Sequence, residues 1–266
     1  MSALAIAQGS VVAGALGIAS GSLVGFVLGL VGGGGSILAV PLLLYLVGVP
    51  SAHVAIGTAA VAVAASAAIN LAAHARAGTV KWRCAALFAV SGMVGAAGGA
   101  QVGKMLPGDV LIGGFAILML VVAALMLRRK SAVGDGDVRL GRENALWLVG
   151  IGLGAGALSG LFGIGGGFLI VPGLLLATGM PMLYAVGSSL VAVTAFGATT
   201  AASYALSGLV DWTLAALFVA GAFAGGMIGT RSAKGLSARR GALERVFAAL
   251  IVAVAAAMLA SSLGLF

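Results

Sequence analysis

The sequence predicts an all-α polytopic integral membrane protein made of two homologous halves arranged as an inverted repeat, with about 8–10 membrane helices including short or broken ones after Gly-rich loops. Three observations predict it: the composition, the length of the apolar stretches, and a duplication whose loop charge flips between copies. Of 266 residues, 62% are apolar and 8% are charged, whereas soluble domains are roughly a quarter charged. The apolar residues run in stretches of about 17–25, the length a helix rising 1.5 Å per residue needs to cross the hydrocarbon core. A membrane β-barrel would instead show alternating segments of about 10 residues, and nothing here alternates.

Each half contains five hydrophobic elements, at 9–31, 36–48, 54–75, 84–104 and 110–128, then at 146–163, 167–179, 183–206, 213–230 and 242–264. The second element of each half is short: about 13 residues rise ~20 Å, less than the ~30 Å hydrocarbon thickness. It is therefore a tilted short span or part of a re-entrant hairpin. Pro41 and Pro172 sit inside these elements, where each removes a donor and frees a carbonyl upstream.

The duplication is read directly. Residues 29–41 (GLVGGGGSILAVP) align without a gap on 160–172 (GLFGIGGGFLIVP), residues 55–63 (AIGTAAVAV) on 185–193 (AVGSSLVAV), Gly78 on Gly208, and Lys81-Trp82 on Asp211-Trp212. The natural division is a first membrane repeat over 1–130, a cytoplasmic linker over 131–145 and a second repeat over 146–266.

Lys and Arg mark the cytoplasmic side. In the first half they gather after the third element, at Arg76, Lys81 and Arg83, while the loop after the fourth holds only Lys104 and Asp109. In the second half the loop at Asp211 has no basic residue, and the next carries Arg231, Lys234, Arg239, Arg240 and Arg245. Equivalent loops thus lie on opposite faces. Each half then makes an odd number of crossings, as five spans or as three spans plus a hairpin, and both termini face outward. Arg76 is the first charged residue, so the N-terminus lacks the basic region of a cleaved signal peptide and the first span is expected to be retained.

Several function classes fall away. The net charge of +8 comes from residues in or beside loops, with no basic stripe interleaved with aromatics, so no nucleic-acid partner is expected. Cys84 is the single cysteine, which precludes an internal disulfide and a multi-thiolate metal site. The six acids, Asp109, Asp135, Asp137, Glu143, Asp211 and Glu244, lie between the apolar spans or at their very ends, so the carboxylate relay of a proton-driven pump is missing. No nucleotide-binding Gly-x-x-x-x-Gly-Lys-Ser/Thr motif is present. His53 and His74 sit at predicted span edges and read as boundary residues, with Tyr204 matching His74. No catalytic residue, cofactor or metal site is expected.

The candidate substrate-binding residues follow from the repeat. Gly32, Gly33, Gly34, Gly35 and Ser36 pair with Gly163, Gly165, Gly166 and Gly167. Glycine lets backbone N–H groups approach a ligand closely, and each run opens a short helix whose free N–H groups and dipole suit an anion. One such run alone reads as a turn or a packing surface; two at matched positions favour a binding surface. Thr58 and the Ser188-Ser189 pair follow Gly57 and Gly187 at matched positions, and Asn70 lies further along the same element. Hydroxyl and amide groups can hold an oxyanion weakly enough to release it. Ser66 and Thr194 read as interhelical hydrogen bonders. Lys104, Arg231 and Lys234 read as topology anchors or as attractors of anions at a mouth.

Small residues recur at every fourth position: Gly17-Gly21-Gly25-Gly29, Ser91-Gly95-Gly99-Gly103, Gly152-Gly156-Gly160 and Gly221-Gly225-Gly229. These ridges let backbones approach and predict that the first and fourth elements are tightly held, the two in one half against each other.

The paired runs, each ending in the Val-Pro of residues 40–41 and 171–172, resemble the TauE/SafE sulfite exporter family over nearly the whole chain. Ile164 stands where the first copy has Gly33, so the two loops differ chemically. The resemblance implies export or uptake of sulfite, sulfonates or related small sulfur or organic anions. The expected protein is a permease for such an anion, multi-pass in the plasma (inner) membrane, with the anion and the lipid bilayer as partners and a homo-oligomer left open. The alternatives are a cation carrier or channel and, further down, a membrane-embedded enzyme or assembly factor.

Overall fold

In the membrane, backbone groups must be satisfied within the chain, which leaves helices as the economical solution for apolar stretches of this length. The computed structural model describes residues 3–128, 142–163 and 167–237; the expected element at 242–264 and most of the linker lie outside them. Among the described residues there are helices and no strands, and six helical stretches are long and apolar enough to cross a bilayer.

Helix α1 (Ala3–Val31) ends at Gly32, whose φ of 69° lies in the left-handed region that favours glycine. A broken helix follows, designated α2: a 3-10 stretch Gly32–Leu38, one α turn Ala39–Pro41, and a π turn Leu42–Leu46. Pro41 can donate no hydrogen bond. The turn after it is wound wide, with Val47 N–H reaching the Leu42 carbonyl at 2.9 Å. α2 doubles back along α1, so that Val47 to Ser51 line a cavity together with Ala13 and Gly14. The short second element thus folds back against α1 as a helical hairpin.

The remaining helices are α3 (Ala52–Arg76), α4 (Trp82–Met105), α5 (Gly108–Arg128), α6 (Arg142–Phe162), α7 (Gly167–Thr178), α8 (Met182–Leu206) and α9 (Trp212–Ser237). α6 and α7 repeat the turn of α1 and α2. Gly163 is left-handed at 66°, and α7 returns along α6 until Gly173 lies against Ile151. The positive-φ glycines of the described residues form three matched pairs, Gly32 with Gly163, Gly48 with Gly179 and Gly78 with Gly208, so the duplication seen in sequence extends to backbone conformation.

The glycine ridges pair differently from expectation. Gly17, Gly21, Gly25 and Gly29 of α1 face Leu214, Phe218, Ala222 and Gly226 of α9 in ascending order, and Gly95, Gly99 and Gly103 of α4 face Leu153, Ala157 and Leu161 of α6. The first element of each half therefore packs in parallel against the fourth of the other half. The reason is geometric: α2 and α7 occupy the space beside α1 and α6 within their own halves, and the ridge finds its small-residue partner across the molecule. Between these pairs α3 and α8 run antiparallel, with Gly57 beside Tyr204 and Leu209, Gly197 beside Ala60 and Ala64, and Gly187 beside Thr79. Outward faces carry Val90, Val94, Ile117 and Leu176, all more than 60% exposed, as a lipid-facing surface requires. Trp82 and Trp212 open α4 and α9 and are exposed, in the manner of interfacial anchors.

Adjacent glycines on α4 give a test of this packing. A Cβ at Gly99 would run into the Ala157 carbonyl, whereas one at Gly98 meets nothing. Gly99→Val is expected to lower the melting temperature and folded yield of purified protein, overpacking costing about 1–3 kcal/mol or more, while Gly98→Val leaves both unchanged.

Candidate functional site

The two Gly runs meet. Gly32 to Leu38 are all buried, and the Gly33 backbone lies directly against Gly167, so closely that a Cβ on Gly167 would overlap the Gly33 carbonyl. The junction is fixed by hydroxyls. Gly33 N–H donates to Ser189 Oγ at 3.0 Å, Ser189 donates to the Val186 carbonyl at 2.8 Å, and Ser36 donates to the Gly33 carbonyl at 2.9 Å. The surroundings are reciprocal: Val186 and Ser189 of α8 cover Gly32, and Ile56 of α3, the residue matching Val186, covers Gly163. Gly35 packs against the backbone of Val27 and Leu28 in α1. Gly165 and Gly166, with Ile164, lie outside the described residues.

Thr58 and Ser188 are also reciprocal, in a role that spacing did not suggest. Thr58 Oγ1 accepts the Asp211 N–H at 2.9 Å, and Ser188 Oγ accepts the Lys81 N–H at 2.8 Å. The preceding glycines lie under the same loops, Gly57 beneath the Leu209 carbonyl and Gly187 beneath the Thr79 carbonyl. Each hydroxyl thus clamps the interhelical loop of the other half onto a central helix. The Lys81 ammonium sits 4.7 Å over the Tyr184 ring, which adds a cation–π contact beside one clamp.

Asn70 is not brought to this junction. Its amide donates to the Ser66 carbonyl at 2.9 Å and accepts from Thr230 at 3.2 Å, in a notch formed by Gly29 and Gly226 where α1, α3 and α9 meet. Ser66, Thr194 and Thr199 donate to carbonyls four residues back, at 2.6, 2.7 and 2.8 Å; the interhelical bonds expected of Ser66 and Thr194 are absent because the nearer partner is on the same helix.

His74 and its match Tyr204 stand near the ends of α3 and α8 without facing outward. Both are buried. His74 reaches the Gly29 carbonyl at 3.1 Å through Nε2 and Thr79 Oγ1 at 2.9 Å through Nδ1, because the side-chain-free surface of α1 leaves room for the ring at the end of α3. His53, by contrast, lies part-buried near the Leu106 carbonyl. Sequence reasoning also missed a hydroxyl cluster on α8. Thr200, Ser203 and Tyr204 each carry a buried hydroxyl without a protein partner, and their i, i+3, i+4 spacing, legible in the sequence, places them on one face.

Among the described residues, no group of three or more His, Cys, Asp or Glu is placed to hold a metal. The junction offers backbone dipoles and hydroxyls without a fixed charge, an arrangement suited to brief, weak contact with a small polar solute. Helices that break at the centre of a bundle, at matched positions of two repeats, are the mark of a membrane transporter.

The comparisons with known proteins agree with that class. Residues 5–258 match the family described as Sulfite exporter TauE/SafE, and the chain belongs to this family of multi-pass cell-membrane proteins. It is 49% identical over 230 residues to a probable membrane transporter protein of Xylella fastidiosa (strain 9a5c), covering 85% of this chain and 87% of that protein. It is 30% identical over 220 residues to the probable membrane transporter protein YunE of Bacillus subtilis (strain 168), covering 75% and 81%. No solved structure matches.

Removing a clamp acceptor leaves a part-buried backbone donor without its partner, at a cost of about 1 kcal/mol. Thr58→Val and Ser188→Ala are each expected to lower the melting temperature. Each is also expected to increase amide hydrogen exchange in one loop only, at 207–211 for the first and at 77–81 for the second.

Proposed function

We propose that this protein is a secondary transporter or facilitator for a small anion, with sulfite, a sulfonate or a related sulfur or organic anion as substrate. The observation that carries the reading is the direct backbone contact of Gly33 with Gly167, where the two Gly runs meet in a buried junction. A surface bare of side chains lets an oxyanion approach backbone amide dipoles closely, and the lack of a cation at the junction among the described residues leaves the ion free to depart. The family name and the relatives' names support transport, and the family's name supports sulfite as the first substrate to try.

The two halves act, in this reading, as an inverted repeat. The antiparallel course of α3 and α8, the matched left-handed glycines and the reciprocal clamps support it. Both clamps are closed in this conformation, Thr58 to Asp211 at one side of the junction and Ser188 to Lys81 at the other. Alternating access then requires one clamp to release while the other holds, with the α1–α9 and α4–α6 pairs moving as units about the junction.

The test is flux in proteoliposomes. The purified protein is expected to move sulfite down its gradient, with sulfonates competing. Ser189→Ala, which removes the acceptor of Gly33 N–H, is expected to cut that flux about 10-fold, equivalent to one lost hydrogen bond of ~1.4 kcal/mol. Movement of sodium or potassium ions with no flux of sulfite, sulfonate or thiosulfate would overturn the reading.

A further inference from the structure

We propose that the groove between α3 and α9 is a binding site for an anionic phospholipid, its phosphate held by Arg76 and Arg231 and an acyl chain laid along the apolar wall. The groove encloses about 580 Å³, and both arginines line it. Its walls are formed by Ile69 and Ala73 on α3 and by Phe223 and Met227 on α9, side chains spaced one turn apart so that each helix presents a continuous stripe. From Phe223 to Arg231 the wall runs about 12 Å along the helix axis. Phe223 is 51% and Met227 46% exposed, so the groove lies on the perimeter of the bundle and faces lipid. Its charged end lies at the last residue of α3 and in the C-terminal part of α9, on the face carrying Arg76, Lys81 and Arg83, which the distribution of basic residues assigns to the cytoplasm.

The chemistry selects the occupant. Two guanidiniums from different helices, at the headgroup level of a low-dielectric groove, suit the oxygens of a phosphodiester. A free inorganic oxyanion would use those guanidiniums and leave the apolar wall uncovered. An anionic phospholipid uses both, and basic pockets between membrane helices on the cytoplasmic side recognise such lipids.

The duplication supplies an internal control. Extending the register that sets Trp82 on Trp212 and Gly99 on Gly229, the matching groove lies between α8 and α4. There Leu206 replaces Arg76 and Gln101 replaces Arg231. On the opposite face the pair is bridged instead by Lys104 of α4, whose ammonium donates to the Ser203 carbonyl and Ser207 Oγ at the end of α8, so that two arginines lining one groove occur on one face alone. The polar residues deeper in the groove, Asn70 and Thr230, are bonded to each other and change too, to Thr200 and Ala100. The site stands apart from the Gly33–Gly167 junction and does not depend on which anion is transported.

The experiment uses the purified full-length chain in an uncharged detergent, with melting temperature followed against phosphatidylglycerol, phosphatidylcholine of the same acyl chains, and inorganic phosphate. Phosphatidylglycerol is expected to raise the melting temperature saturably and the other two to leave it unchanged. The double variant R76Q/R231Q is expected to need about 30-fold more phosphatidylglycerol for the same shift, two charge contacts being lost. Ala72→Phe, at an exposed lining position that leaves both arginines in place, is expected to weaken the response by filling the groove. An equal response to phosphatidylcholine, a full response to inorganic phosphate, or an unaltered response in R76Q/R231Q and Ala72→Phe would each overturn the proposal.

Discussion

Everything in this structure depends on two stretches of backbone touching where neither has a side chain. At Gly33 the main chain leaves regular α-helix and meets Gly167, the first residue of α7, at a buried position, where each unsatisfied N–H or carbonyl costs several kcal/mol. The surrounding residues answer that cost. Ser189 accepts the Gly33 N–H, Ser36 donates to its carbonyl, and the 3-10 winding of Gly32–Leu38 pairs much of the rest internally. The left-handed turns at Gly32 and Gly163 bring each run back toward the junction instead of letting α1 and α6 continue. A side chain on either crossing residue would force the runs apart.

The helices around the junction divide by how they are held. α1 with α9 and α4 with α6 are joined along glycine ridges, carbonyl against Cα, over several turns; such contacts gain from close van der Waals approach and tolerate little sliding. α3 and α8 are joined at each end by a single hydroxyl-to-backbone bond and a glycine beneath a loop. Rigid pairs that each draw one helix from each half, with individually weak latches at two ends, are parts from which a rocking mechanism can be assembled.

Much of this was legible in the sequence, in a specific way. The duplication aligned Gly32 with Gly163 and Gly78 with Gly208, and both pairs turn the chain, as does a third matched pair, Gly48 and Gly179, that the sequence did not single out. The ridge pattern predicted close packing but not its partner, because a row of glycines on α1 is equally complementary to any small-residue face, and only the returning α2 decides which is within reach. His74 was read as a boundary residue from its position at a span end, with Tyr204 as its match; that both are buried depends on neighbouring helices, which one-dimensional spacing does not contain. Thr58 and Ser188 stood out through matched positions, yet whether a hydroxyl serves a ligand or a loop is fixed by what the tertiary fold sets opposite it. Arg76 and Arg231 read in sequence as markers of topology; that they line one groove is visible only in the fold.

The most direct measurement of the central claim is hydrogen–deuterium exchange of the purified protein with and without sulfite, resolved by peptide. If the crossing of the two Gly runs is where the ion is held, added sulfite slows exchange in peptides covering residues 32–38 and 163–169 and leaves the exposed starts of α4 and α6 unaffected. Protection confined to the outer helices, with the two Gly runs indifferent to saturating sulfite, would contradict the account.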